Sequence, residues 1–145
     1  GWEGCGPTAL AMVVASMTDN KVTPYDVAQW SAQNGYRCEG NGSYHSLIPN
    51  GGEHYGLTVT KIGKDSKKLV QALGSGKLVI AIMAPGHFTT TGHFIVLRGI
   101  TEEGEVLVAD PASVKRSNQE WPLRTVVNEA ASRAGAGGPF WVFSR

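Results

Sequence analysis

Apolar positions follow one period in the first part of the chain and another after it. Between Pro7 and Met17, Leu10, Met12, Val13, Val14 and Met17 recur all round a helix and not along one stripe, which predicts a buried helix starting near Gly6-Pro7. In "TPYDVAQWSAQNG", Thr23 is the expected N-cap, Pro24 the first helical residue, Asp26 the acidic partner three residues after the cap, and Gly35 the stop. The segment from Gly40 to Gly56 is rich in Gly, Asn and Ser and reads as a loop with a short helix. From Leu57 the alternation becomes that of strands: "LTVTKI", then, after a third helix in "SKKLVQALGSG", the runs "KLVIAIMA", "HFIVLRGI" and "EVLVAD". The last two are joined by "TEEGE", a turn at Gly104. A helix from about Pro122 to Arg133, a glycine-rich break and a closing strand "PFWVF" complete the pattern. Helices first and antiparallel strands afterwards predict an α+β fold.

Length narrows this to one domain, residues 1–145, with 41% hydrophobic residues to build its core. Thirteen basic and 12 acidic residues leave a net charge of +1, so there is no electrostatic case for nucleic acid or an anionic membrane as partner. No apolar run approaches the roughly 20 residues of a membrane span. The chain begins at Gly1 without an initiator Met, and we expect a processed or trimmed piece with a possible upstream domain or propeptide. Two cysteines, Cys5 and Cys38, are too few for a disulfide scaffold and form no CxxC or zinc-type set, so each is weighed singly.

Cys5 lies in "GWEGCGPTALAMVV", between two glycines at the start of a helix. Unpaired N–H groups and the positive end of the helix dipole stabilise a thiolate there, and the glycines let a substrate backbone approach. The plainer alternative is a small buried residue. A thiol nucleophile needs a base and a group to orient it. His45 and His54 fall in the irregular segment, where loop or surface placement is the default. His93 opens a strand apolar enough to be central, whereas His87 competes with it from a glycine-rich loop. Asp110 closes "EVLVAD", and a hairpin through Gly104 puts His93 and Asp110 at the same end of neighbouring strands. Otherwise Asp110 merely initiates a turn at Pro111. The four histidines match no local metal-ligand motif, so neither a metal nor another cofactor is expected.

Together, "GCGPTALAMV", "GHFIVL" and "VADPAS", in that order, resemble the bacteriocin-leader-peptidase-like branch of the papain-like cysteine peptidases, over nearly the whole chain. The resemblance implies a papain-like fold, with N-terminal helices packed on a C-terminal antiparallel sheet. It also implies Cys5 as nucleophile, His93 as base and Asp110 as the residue orienting it. It implies a cysteine peptidase acting through a thioester on an extended peptide with small residues at the cleavage site, in the extracellular space or cell envelope of a Gram-positive bacterium. The family carries a glutamine shortly before the cysteine as an oxyanion donor; here the preceding residues are Gly1, Trp2, Glu3 and Gly4. Removing one such donor costs roughly a hundred- to a thousandfold in rate. Glu3 is no substitute, since a carboxylate only accepts hydrogen bonds.

The alternative is a peptidase-like module that binds peptide or cell-wall ligands without turning them over. Cys5, His93 and Asp110 in order argue for the enzyme. Trp2, Tyr36, Tyr44 and Phe88 are groove-lining candidates, and core or rim positions are the commoner fate of such aromatics. Cys38 is expected to be exposed and without a catalytic part, although a Cys5–Cys38 disulfide would silence the nucleophile.

Overall fold

The computed structural model describes residues 4–38 and 42–145. Trp2 and Glu3, and the first residues of the segment that opens at Gly40, lie outside this range. The chain forms α1 (Cys5–Met17), α2 (Pro24–Gln33), α3 (Leu47–His54), β1 (Thr58–Gly63), α4 (Ser66–Gly74) and β2 (Leu78–Met83). There follow β3 (His93–Ile100), β4 (Glu105–Ala109), α5 (Val114–Ser117), β5 (Glu120–Pro122), α6 (Leu123–Glu129) and β6 (Phe140–Ser144). The strands make one antiparallel sheet in the order β1-β6-β2-β3-β4-β5. This is the α+β architecture expected, with two additions.

The first addition is that helices cover both faces. On one face α1, α2 and α3 bury Leu10, Val13, Val14, Val27, Leu47 and Ile48 against Ile80, Ile82, Phe94, Val96, Trp141 and Phe143. On the other, Leu69, Ala72 and Leu73 of α4 and Val126 of α6 pack on Val79, Ala81, Ile95, Leu97, Val106 and Val108. Even residues of β2 and β3 thus face α1 and odd residues face α4, the period of two that a sheet buried on both sides imposes. The second addition is the place of β6, which inserts between β1 and β2. The sheet therefore starts before α4, with Thr58 opposite Ser144.

Local rules decide where elements begin. Thr23 accepts from Asp26 N, and the Asp26 carboxylate accepts from Thr23 N, so the capping box predicted for α2 is formed; such caps contribute about 1 kcal/mol. Asp65 caps α4 by accepting from Lys68 N. The last helix is shorter than the Pro122–Arg133 expectation. Pro122 belongs to β5, and beyond Glu129 the chain turns extended so that Ala130 bridges Met83 and Ala131 N donates to the Ile82 carbonyl. Pairing with the end of β2 wins there over helix propensity.

Candidate active site

Helix α1 begins at Cys5 itself, two residues before Pro7. Gly4 caps it with φ +95°, a backbone angle that disfavours any side chain, and Thr8 Oγ1 and N both donate back to the Gly4 carbonyl. First-turn N–H groups have no partner within a helix, and the amide of Cys5, in that turn, lies beside its own thiol. Gly6 lets the helix start lie close to its neighbours: a Cβ there would stand 3.0 Å from Ser43 Oγ and 3.4 Å from the Phe94 ring. Cys5 is half-buried, and its Sγ accepts a hydrogen bond from Phe94 N at 3.4 Å.

His93 pairs with Met83 as the first residue of β3, the fourth strand in the sheet. Val96 stands opposite Ala109 and Leu97 opposite Val108. Continuing the alternation back from Leu97 and on from Val108 brings His93 and Asp110 onto the same face at the same end of the hairpin. His93 Nε2 meets Asp110 Oδ1 at 2.6 Å, with side chains 8% and 0% exposed. With Nε2 committed to the carboxylate, Nδ1 is the ring nitrogen left for Cys5, which lies close enough for thiol and imidazole to shift one another's protonation.

The three groups shift one another's protonation. Burial by itself raises the Cys5 thiol, but the hydrogen bonds from His93 and Phe94 N, and the charge of His93, outweigh it and hold the thiol below its ordinary value. Burial lowers His93, yet the hydrogen bonds to Asp110 and Cys5 and their charges carry it to about 9. Asp110 is likewise held below the usual carboxylate range: burial opposes this, and the hydrogen bonds from His93, Arg116 and Ala112 N prevail. A thiol lowered and an imidazole raised both shift the pair toward thiolate–imidazolium.

Arg116 is the partner that sequence reasoning missed. Its Nε donates to Asp110 Oδ2 at 2.7 Å, while Ala112 N donates to Oδ1 at 2.8 Å and Ser117 Oγ accepts from Asp110 N. A signal for it existed in "DPASVKRS". Ser113 is the N-cap of α5 and accepts from Arg116 N, and one such turn returns the third helical residue toward Asp110.

The other candidates fall elsewhere. His87 is 65% exposed and pairs through Nδ1 with Glu129 Oε2 at 2.5 Å, away from the thiol. His54 ends α3 and stacks on Trp30, with ring centroids 4.3 Å apart. His45 lies in the turn before α3, as the loop default has it, but is half-buried there: it accepts from Gly135 N at 3.0 Å and lies edge-on to Phe94 and Trp141. Burial pushes its imidazole down, toward the neutral form. Among the described residues no three His, Cys, Asp or Glu side chains converge as metal ligands. Cys5 and Cys38 are both free thiols. Tyr36 stacks on Trp30 and Phe88 is buried against Trp121, so neither is freely displayed; Tyr44 is exposed and lines a cleft with Ser43 and His45. No helix of the described residues is long and apolar enough to cross a membrane.

No curated protein matches this sequence. The model of one protein family, described as the Peptidase_C39 like family, matches residues 2–133, from the stretch before Cys5 to beyond α6. A helix that opens on a cysteine, laid across the strand that opens on a histidine, is thus accompanied by a match over most of the sequence, and the chain belongs to the Peptidase_C39 like family, a family of papain-like cysteine peptidases.

Proposed function

We propose that residues 1–145 act as a peptidase domain that hydrolyses peptide or amide bonds through a Cys5 thioester, with His93 as acid and base and Asp110 as its orienting group. The observation that carries this reading is the hydrogen-bonded chain from Arg116 through Asp110 to His93, with the Cys5 thiol beside it accepting from the amide of Phe94, the residue after His93. The Cys5 thiolate attacks the scissile carbonyl carbon, and the carbonyl electron pair moves onto oxygen. The Cys5 amide, in the first turn of α1 where the helix itself offers it no partner, is the proposed donor to that oxyanion. As the tetrahedral adduct collapses, the C–N bond breaks, the imidazolium of His93 gives its proton to the leaving amine, and a thioester remains on Cys5. Water then loses a proton to neutral His93 while adding to the thioester; the C–S bond breaks, and carboxylic acid and thiolate are released.

Digestion of a diverse peptide mixture in H₂¹⁸O tests this. The expected result is new C-termini carrying ¹⁸O with wild type and none with Cys5→Ala. Cleavage that persists in Cys5→Ala contradicts it. Peptide binding without turnover by the wild type turns the reading into that of a binding module.

A further inference from the structure

Two clefts flank Cys5 and His93, and they differ in chemistry. One opens beside Gly6, the residue after the nucleophile, with Ser43, Tyr44, His45 and Ala136 in its walls. The other, about 380 Å³, has His93 in its wall but not Cys5. The rest of the wall includes Arg116, His87, Thr89, Thr90 and the buried ring of Phe88. The group that protonates a leaving amine must lie beside it, so the cleft on the far side of His93 receives the part of the substrate beyond the scissile bond.

That cleft is built of donors. Among the described residues the Arg116 guanidinium is engaged only through Nε, on Asp110, which leaves the N–H groups of its terminal nitrogens for a ligand. His87 has Nδ1 on Glu129 and leaves Nε2. Thr89 Oγ1 accepts from Thr91 N and keeps its own hydroxyl proton to donate. Among the described residues no carboxylate lines the cleft, and the two beside it are already taken. Asp110 is wholly covered by His93, Ala112 N and Arg116, and Glu129 accepts from both His87 N and His87 Nδ1.

The wall formed by loop 84–92 is also held in place. Glu129 clamps His87 by backbone and side chain from the end of α6 and seats against Gly86, where any side chain would collide with it. Ala84 N donates to the Glu129 carbonyl, Gly86 N to the Thr89 carbonyl, and Phe88 packs on Trp121 with ring centroids 4.5 Å apart. A recognition loop fixed before its ligand arrives loses less ordering entropy on binding.

We propose that this cleft is a leaving-side subsite selecting substrates with a carboxylate shortly beyond the scissile bond, bound by Arg116 with His87, Thr89 and Thr90 around it. The inference rests on the peptidase reading above. A carboxylate has two sources, an Asp or Glu side chain and a free peptide C-terminus. The test is therefore a library of peptides randomised on the leaving side and made in both amidated and free-acid form. Cleavage is read by mass spectrometry with wild type, Thr90→Glu and Thr90→Lys. Thr90 is exposed, so these changes alter the wall without disturbing the core.

The expected result is at least about tenfold higher kcat/KM for acidic over neutral leaving sides, carried mainly by KM. Thr90→Glu removes that ratio and Thr90→Lys preserves or raises it. Selectivity among amidated peptides identifies the side chain, and selectivity confined to free acids identifies the C-terminus. Cys5-dependent cleavage with no preference for either carboxylate overturns the subsite and leaves the peptidase standing. No Cys5-dependent cleavage of any peptide overturns both.

Discussion

His87 and His93, on one segment of the chain, each meet a carboxylate at hydrogen-bond distance, His87 with Glu129 at 2.5 Å and His93 with Asp110 at 2.6 Å. The distances are alike and the settings are opposite. His87 stands on a loop in solvent, where water and salt screen its pair and leave such contacts worth about 0–1 kcal/mol. His93 is fixed at the start of a central strand, its carboxylate fully covered and held by two further donors, and a thiol stands near enough to shift its protonation. A histidine–carboxylate pair is thus not a base by virtue of its own geometry. Burial, a carboxylate that is itself oriented, and a nucleophile on the other side of the ring make it one.

Variants that sharpen this contrast differ in size of effect. His93→Ala removes both the proton donor and the charge that holds the thiolate, and kcat/KM is expected to fall by about 10³- to 10⁴-fold with the circular dichroism spectrum unchanged. Next comes Asp110→Asn. Without the carboxylate, His93 falls from about 9 toward the ordinary range, so the alkaline limb of the pH–activity profile moves down and activity at pH 8 drops about tenfold from loss of imidazolium alone. Arg116→Met acts in the other direction on that limb. A carboxylate relieved of the guanidinium holds the imidazole proton more tightly, so the limb moves up, while urea unfolding shows a loss of about 1–3 kcal/mol from the buried oxygen left unpaired. The smallest effect is expected for the exposed pair: Glu129→Gln, acting through loop 84–92, lowers turnover of neutral peptides by no more than about threefold.

Folding stability carries the same signature. His93 is raised when folded, so its contribution is complete below about pH 6.5 and is lost as pH rises through about 9. Asp110 is lowered, so its contribution is present above about pH 4 and is lost as pH falls through its native value.

How legible this was in the sequence varies with the range of the interaction. The α2 capping box and the β3–β4 hairpin are written in residues close together, and they are found where expected, the first by reciprocal caps and the second by period-two alternation. Cys5 at the head of α1 was legible from Gly6-Pro7, although the helix begins at the cysteine itself. Insertion of β6 between β1 and β2 was not, because the pairing of Thr58 with Ser144 depends on contacts that no local pattern encodes. Arg116 was missed for a related reason. Its role is set by the Ser113-capped turn folding back on Asp110; the cap is a local signal in "DPASVKRS", but which of its basic residues the turn brings to Asp110 is not. The turn placement of His45 was legible, but its partial burial was not, because Gly135, its hydrogen-bond partner, lies far along the chain.

The central claim is that Cys5 and His93 form a thiolate–imidazolium pair. It is tested most directly by the pH dependence of iodoacetamide alkylation at Cys5, followed by peptide mass spectrometry on wild type and His93→Ala. The account predicts that Cys5 of the wild type still reacts at pH 6, well below the roughly 8.5 of a free cysteine, and that His93→Ala moves the profile up by about a unit or more. A Cys5 that titrates as an ordinary thiol in both proteins would contradict it.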